Sequence, residues 1–314
     1  MLHELQVDAA DAGTRLDVWL EGQLEGCSRS LVARCVKEGR CSIDPGKAKP
    51  GFRLRGGERV AIEVPELEPL EAVPESIPLT LLHEDDDLLV VNKAPGMVVH
   101  PAIGHPRGTL VNAVLGHLGA LAGDETLRPG LIHRLDADTS GVIAVAKHPQ
   151  ALQYCQDAFR ERRVRKWYLA LAGGVPRWDF HEHHGWIGRH AKDWRKRTVL
   201  ADEARGAKSA HTSFVVRERH DGYSAIEARL HTGRTHQIRV HLADLKHPVL
   251  ADALYGRGPR WPQAGQARLE RQALHAWRLE LPHPDGSIRT FSAPIPADMA
   301  ALVESAIMPL TEAH

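Results

Sequence analysis

Residues 130–147 read GLIHRLDADTSGVIAVAK, and the division of this stretch between loop and strand decides the fold around it. Val142 to Lys147 is an apolar, β-branched run of strand length. Asp138-Thr139-Ser140-Gly141 in front of it is good turn chemistry, and an Asx turn would account for those four residues. It would not account for Arg134 and Asp136, which precede the turn. A carboxylate flanked by His133, Arg134 and Asp138 between two apolar runs is a group placed on a loop at a strand end, where a rigid sheet holds reactive side chains.

Outward from this strand the pattern alternates without a regular βαβ period. Leu88 to Asn92 reads as a strand, Thr109 to Leu118 as a helix, Gln150 to Arg162 as a helix behind Pro149 at its first turn, and Trp167 to Ala172 as a strand. Strands follow around Thr212 to Val216 and Ser224 to Leu230, then a helix from Thr235 to Lys246 stopped by Pro248. A hairpin of Ala273 to Leu281 with Ile288 to Phe291 and a terminal helix, Ala297 to Ala306, close the pattern. Several direct strand-to-strand connections predict an α+β domain with a mixed, largely antiparallel sheet, spanning 79–306.

The N-terminal part reads differently. Leu16, Trp19, Leu20 and Leu24 share a helical face, and a second helix runs from Arg29 to Glu38 between Ser28 as cap and Gly39 as stop. CSI and FRLRGGERVAIEV follow, with Gly56-Gly57 turning the chain between two short strands. This predicts a small unit of two helices and a hairpin over 13–64. The stretch PELEPLEAVPESIP, with Pro65, Pro69, Pro74 and Pro78, is an acidic, stiff linker over 65–78.

The 314 residues carry 40 Lys+Arg against 40 Asp+Glu, with 43% hydrophobic residues, which excludes disordered and collagen-like classes and describes a soluble globular protein. No apolar run approaches the roughly 18 residues of a membrane span, and the N-terminus has acids and lacks an apolar signal core. A cytosolic protein without membrane contact is expected. Cys27, Cys35, Cys41 and Cys155 are too far apart for a CxxC zinc pair and read as reduced, structural thiols. The neutral total hides opposed segments. Residues 13–59 hold ten Lys/Arg against six acids, 60–92 hold nine acids and no Lys or Arg, and 159–168 and 189–197 each hold five basic residues and one acid.

Two further segments carry polar residues that a core does not need. In EARLHTGRTHQIRVHLADL, residues 227–245, Ile238, Leu242 and Leu245 form the apolar stripe of the helix. Arg239 near its start can reach a carboxylate on a neighbouring loop, or form an ordinary surface ion pair worth about 0–1 kcal/mol. His231, His236 and His241 suggest zinc only weakly, because His236 and His241 are not on one helix face as HExxH requires. No metal is expected. In FRERRVRKWY, residues 159–168, Trp167 and Tyr168 beside five cations fit either a solvated face or phosphate contacts with base stacking. His181 to Arg197, including HAKDWRKR, reads as a long exposed insertion.

Together, LLVVNKAPGMVVHPA, HRLDADTSG, the Lys166-Trp167-Tyr168 strand and GRTHQIRVHLA occur in an order that resembles the RluA/RluD-type RNA pseudouridine synthases, from about Leu79 to the C-terminal helix. The N-terminal unit, with SRSLVARCVKEGRCSID, resembles the S-four RNA-binding domain. The resemblance departs at two places. Asn92-Lys93-Ala94-Pro95-Gly96 lacks the Pro that more often follows Lys, and Ala251-Asp252 stands where Gly-Asp is usual. Neither is expected to touch the residues that carry chemistry.

The resemblance implies isomerisation of uridine to pseudouridine in RNA with no cofactor. Asp136 would be the essential carboxylate, attacking sugar or base or stabilising the charged sugar. Arg239 would be its cation, since a carboxylate in a water-poor pocket needs one. Tyr168 would stack under the uracil and move a proton, with Ile238 on the other side of the base. Arg134 would fill the place of a flipped uridine, and His133 and Lys93 would contact the substrate. Arg29, Arg34, Lys37 and Arg40 of the N-terminal module would bind RNA. HPAIGHPRGTLVNAVL and RQALHA point to the RluD branch and large-subunit ribosomal RNA, other ribosomal or transfer RNA positions being the alternative. A monomer is expected. A magnesium-dependent phosphohydrolase of the haloacid dehalogenase type also fits DADT, but it needs the Asp directly at a strand end and an acidic magnesium-binding pair. A catalytically silent ribosome-assembly factor would not need Asp136, Tyr168 and Arg239 together.

Overall fold

The protein folds as two units, Met1–Pro69 and Leu70–His314, in a computed structural model that describes residues 1–24, 27, 29–44, 46–65, 72–102, 105–119, 130–203, 206–256 and 269–304. In the first unit, β1 (Leu2–Gln6) is followed by α1 (Leu16–Gln23), α2 (Arg29–Lys37), β2 (Cys41–Asp44) and β3 (Arg59–Glu63). The antiparallel sheet has the order β1-β3-β2, and Leu16, Leu20, Val32, Cys35 and Ile62 are buried between it and the helices.

The strand opposite β3 is not the one expected. Phe52 to Arg55 forms only a single bridge, Arg15 with Arg53, because its backbone is taken by the entry to α1: Leu16 donates to the Phe52 carbonyl and Leu54 to that of Thr14. The place beside β3 goes to β1, so the unit begins before Gly13. Ser28 lies outside the described residues.

In the second unit, β4 (Leu81–Glu84), β5 (Leu88–Lys93), α3 (Leu110–Leu118), β6 (Ser140–Ala146), α4 (Pro149–Arg160), β7 (Arg165–Gly173), β8 (Phe180–Arg189), β9 (Arg197–Leu200), β10 (Lys208–His220), β11 (Tyr223–Leu230), α5 (Gln237–Asp244), β12 (Leu274–Pro282), β13 (Ile288–Ser292) and α6 (Ala297–Ala300) follow in chain order. Among the described residues ten strands form one sheet in the order β4-β5-β6-β12-β7-β11-β10-β8-β9, with β13 on β12, and of these only β6 and β12 pair in parallel. This is the expected α+β class with a mixed, largely antiparallel sheet.

Residues 140–146 show why the sheet is layered. All seven are buried, and they alternate between two cores as a strand's period of two dictates. Ile143 and Val145 face the larger core with Val111 and Val114 of α3 and Leu242 of α5. Val142, Ala144 and Ala146 face Ala151, Cys155 and Ala158 of α4. The stretch 181–197, expected as an exposed insertion, instead supplies β8, which pairs with β10 over eight residues from Phe180 to Ile187. Its His-rich alternation had masked an ordinary period of two. The expected helix from Thr235 starts at Gln237, because His236 takes a left-handed backbone with φ +58, and the terminal helix is described only as α6.

Candidate active site

Asp136 sits on the loop in front of β6, and three side chains from other parts of the chain fix that loop, two through its backbone and one through the Thr139 hydroxyl. Lys93, at the end of β5, donates to the carbonyls of Ala137 (2.6 Å), Ala94 (2.8 Å) and Met97 (2.9 Å). Arg271 donates to the Asp138 carbonyl at 3.0 Å and Gln272 to the Thr139 hydroxyl at 3.0 Å. Gly141 then enters β6 with φ +116, where a Cβ would collide with the Ala276 carbonyl of β12. The glycine of DTSG is thus required by the close approach of two parallel strands, and the sequence before it is free to serve the loop.

Lys93 is 1% exposed. Burial pulls its ammonium down to about 7, with Asp138 and Asp136 pulling the other way and Arg271 adding to the fall. Because its pKa in the folded chain lies below the ordinary 10.5, the unfolded chain binds this proton more readily between about pH 7 and 10.5, so this group's contribution to stability rises with pH across that window. Its three donors, however, belong to the ammonium, and the grip on Ala137 weakens once a proton is lost. The single-turnover rate is therefore expected to fall as pH rises through about 7, with that limb missing in Lys93→Met. A wild-type profile flat from pH 6 to 9 would contradict it.

Across the loop stands Arg239 of α5, 4% exposed. Its Nη1 donates to Asp136 Oδ2 at 2.8 Å, while Nε and Nη2 form a bidentate pair with Asp252 at 2.6 and 2.9 Å. Against the desolvation that burial imposes, the bonds to Asp252 and Asp136 hold the guanidinium above its ordinary pKa. Asp252 is fixed in turn, its Oδ1 accepting from the backbone of Leu254 and Tyr255. The guanidinium also lies 5.3 Å from the centre of the Tyr255 ring.

Two consequences overturn expectations. Ala251, in the place where glycine was usual, has φ +55 and directly precedes Asp252, so this departure from the family pattern does border the charged centre. Ala251→Gly is expected to stabilise the protein by about 1 kcal/mol, by relieving a left-handed alanine; an unchanged or lower midpoint in urea would contradict this. The former insertion is also tied in. Arg197, the first residue of β9, donates its backbone N–H to the Tyr255 hydroxyl at 2.7 Å, and that hydroxyl lies 2.8 Å from His236 Nδ1. His236 Nε2 is 3.9 Å from Asp136 Oδ2. Burial lowers the His236 pKa, opposed by Asp136, so the ring is neutral at pH 7.

Asp136 and Arg239 open onto a cavity of about 460 Å³, within the range of small-molecule sites. Tyr168 on β7 and Ile238 on α5 both line it and are 6% and 3% exposed. Burial, with Asp136 second, raises the Tyr168 pKa, so it is a phenol at neutral pH. Arg134, Arg160, Arg162, Lys166 and Arg234 join Arg239 in the lining, where Asp136 is the one acid among the described residues. Burial, with Arg234 second, pulls Lys166 down to about 8. Arg134 is exposed and bonds only loosely to the Thr235 hydroxyl, 3.4 Å away. His133 also lines the cavity, with its ring held against the sheet: its Nε2 accepts from the Ala144 N–H at 3.1 Å, its ring stacks on Phe159, and burial, with Lys166 second, holds its pKa at about 3.

In the first unit, Arg29, Lys37 and Arg40 are exposed and Arg34 is half-buried. Arg29 pairs with Asp17 at 3.0 Å, while Arg34 and Arg40 share Glu38 at 3.9 and 3.4 Å. His231, His236 and His241 have separate surroundings: His231 stacks on His211, and His241 bonds Thr212. Among the described residues, two clusters carry metal-type ligands, Glu182/His184/His211 and Asp85/Asp87/His283, and neither includes Asp136.

Residues 87–244 match the family described as RNA pseudouridylate synthase. The chain is 40% identical over 298 residues to an uncharacterized RNA pseudouridine synthase of Synechocystis, covering 93% of this chain and 88% of that one. It is also 40% identical over 318 residues to ribosomal large subunit pseudouridine synthase D of Xanthomonas campestris, covering 97% and 92%. Among solved structures, human RNA pseudouridylate synthase domain containing 4 superposes with a TM-score of 0.56 at 26% identity, covering 71% of this chain and 92% of that one.

Proposed function

The chain belongs to the RluA/RluD-type RNA pseudouridine synthases, and from that premise we propose that it modifies large-subunit ribosomal RNA by flipping a uridine against Asp136. As a member of this family it is an RNA pseudouridine synthase. The ribosomal target rests on the name of the Xanthomonas relative and on the length over which the two chains align. The role of Asp136 rests on one observation: a partly exposed carboxylate, held at 2.8 Å by a buried guanidinium that is itself locked to Asp252, at the mouth of a cavity lined by cations.

The chemistry follows from that arrangement. Asp136 acts on the ribose or the base while the bond from sugar to ring nitrogen breaks, and the base turns and rejoins through a ring carbon. No oxidation, reduction or hydrolysis occurs overall, so no cofactor is needed. Arg239 keeps the carboxylate oriented and anionic in a site that loses water when RNA binds. Tyr168 and Ile238 form the two walls between which the uracil stacks. Lys93 acts from behind through the Ala137 carbonyl, while His133, fixed by the Ala144 amide, contributes to the cavity lining. The cations around the opening take the phosphates that flank the flipped nucleotide, and the first unit, as an S-four-like module, adds phosphate contacts through Arg29, Arg34, Lys37 and Arg40.

Extruding a stacked uridine costs a few kcal/mol, and Arg134, exposed beside Asp136, fills the vacated position. Arg134→Ala is expected to slow catalysis on structured RNA much more than on a flexible oligonucleotide; equal losses on both would remove Arg134 from flipping. The protein acts as a cytoplasmic monomer, and among the described residues no helix is long and apolar enough to cross a membrane. Chemical mapping of pseudouridines in RNA from cells with and without the gene tests the target: the lost sites are expected in large-subunit ribosomal RNA, and losses confined to transfer RNA would overturn the assignment.

A further inference from the structure

The turn between β4 and β5 and the end of β12 bring three groups together outside the active site. Asp85, Asp87 and His283 each offer one ligand atom, and these atoms all lie within 4.8 Å of one another. His283 is 3% exposed, and its Nε2 is buried and makes no hydrogen bond, although it stands 3.2 Å from Asp85 Oδ2 and 3.6 Å from Asp87 Oδ2. A nitrogen this near two carboxylate oxygens, yet off the hydrogen-bonding line to both, has the spacing of ligands in one coordination sphere. With metal–ligand bonds of about 2.0–2.2 Å, neighbouring ligand atoms are roughly 3–3.5 Å apart.

The other atom of each group is anchored, as ligands usually are. Asp85 Oδ1 accepts from the backbone N–H of Asp87 and Leu88 at 3.0 and 2.8 Å. Asp87 Oδ1 is 2.8 Å from His148 Nε2. His283 Nδ1 faces the Asp285 carboxylate, with Oδ1 at 2.9 Å, and the Asp285 N–H at 3.3 Å. Asp285 is held by Arg289 at 2.7 Å. In the tautomer with hydrogen on Nδ1, the bond from the Asp285 N–H is given up, the Asp285 carboxylate accepts from Nδ1 and orients the ring, and Nε2 points a lone pair at the two aspartates. His83 Nε2, 2.6 Å from Asp85 Oδ2, and Arg289 Nη1, 3.9 Å from it, are the other charged or titratable groups at that oxygen.

We propose that Asp85, Asp87 and His283 bind one zinc-class divalent cation that clips the β4–β5 turn to the β12–β13 hairpin, with water completing the sphere. One imidazole with two carboxylates suits zinc better than magnesium, which prefers oxygen ligands in an octahedron and keeps its own waters. The second cluster, Glu182/His184/His211, is a weaker candidate. Glu182 already hydrogen-bonds His211, and the His184 and His211 rings stack face to face at 4.0 Å. The competing account of the first cluster is a protonated His283 among aspartates, which needs no metal.

Titration calorimetry of the chelator-treated full-length protein with Zn²⁺ and with Mg²⁺ separates these accounts. One equivalent of Zn²⁺ is expected at this site with no comparable Mg²⁺ binding. Asp87→Asn and His283→Gln should abolish it, and Asp285→Asn should weaken it about 10- to 100-fold. The double variant His184→Asn/His211→Asn should retain it. No Zn²⁺ binding, binding that survives both Asp87→Asn and His283→Gln, or binding removed by the His184/His211 pair would each overturn the proposal. Should Asp87→Asn or His283→Gln fail to fold, wild-type protein suffices: Co²⁺ should broaden the His283 and His148 imidazole resonances, and broadening confined to His184 and His211 would overturn it.

Discussion

Asp136→Asn is expected to leave RNA bound and to lower the rate of isomerisation on the order of 10⁴-fold, the scale of removing a single catalytic carboxylate. The two properties separate because they rest on different groups. In the proposed mode of binding, RNA affinity comes from the cations around the cavity and from stacking, none of which the substitution alters. Asparagine keeps the shape of the side chain and still offers an oxygen to Arg239, so the loop held by Lys93, Arg271 and Gln272 stays in place. What it lacks is the negative charge for attack or for stabilising a charged sugar. Filter binding and single-turnover kinetics on the same RNA check both halves. A variant that releases tritium from uridine labelled at ring carbon five at near wild-type rate would remove Asp136 from the chemistry.

The second large effect lies behind the site. Asp252→Asn breaks a fully buried bidentate pair and leaves the Arg239 guanidinium with Asp136 as its one carboxylate partner. Removing one member of a buried pair costs about 3–5 kcal/mol, because the remaining charge stays desolvated. For a unit of this size that is a fall in Tm on the order of 10 °C. Activity should fall as well, since Arg239 is then free to close fully on Asp136 and draw it from the cavity. Thermal unfolding and single-turnover rates should both change, in contrast to Asp136→Asn, where stability is nearly kept. A variant with wild-type Tm and reduced rate would mean that Asp252 does not carry the clamp.

The sequence made the centre of this arrangement legible and its supports invisible. Asp136, Tyr168 and Arg239 could be named because each lies in a motif with its own local signature, and strands such as 140–146 announce themselves through an unbroken apolar run. His236, Asp252, Arg271 and Gln272 lie in stretches that carry the resemblance, but nothing in those stretches says what their side chains touch, and Tyr255 carries no signature at all. They matter through contacts made only in the fold, as Gln272 to Thr139, Arg271 to Asp138 and Arg197 to Tyr255 show, and no spacing rule predicts those meetings. The same limit applied to the fold. β1 is an exposed edge strand whose residues alternate between exposed and half-buried, so its apolar period is weak, and β8 hides its alternation under histidines and glutamate. Lys93 shows how residue type can mislead in the other direction. A lysine in a catalytic-domain motif suggests contact with substrate, whereas its ammonium is buried against three carbonyls.

The neutral net charge likewise resolved into placement. Acids and bases balance over the chain, yet the cavity that contains Asp136 is lined by Arg and Lys from three segments, the loop before β6, the end of α4 with the start of β7, and the approach to α5 with α5 itself. Attraction of RNA over long range is weak for a neutral protein, and binding depends on phosphate contacts made at the site.

The central claim is that this chain converts uridine to pseudouridine at the Asp136 pocket. Its most direct test is tritium release from large-subunit ribosomal RNA labelled at carbon five of uridine, incubated with the purified protein and no added cofactor. Release is expected in a fixed stoichiometry, matched one for one by pseudouridine in the product and absent with Asp136→Asn. Folded protein that binds the RNA and releases no tritium from it, or releases it without pseudouridine appearing, would contradict the account.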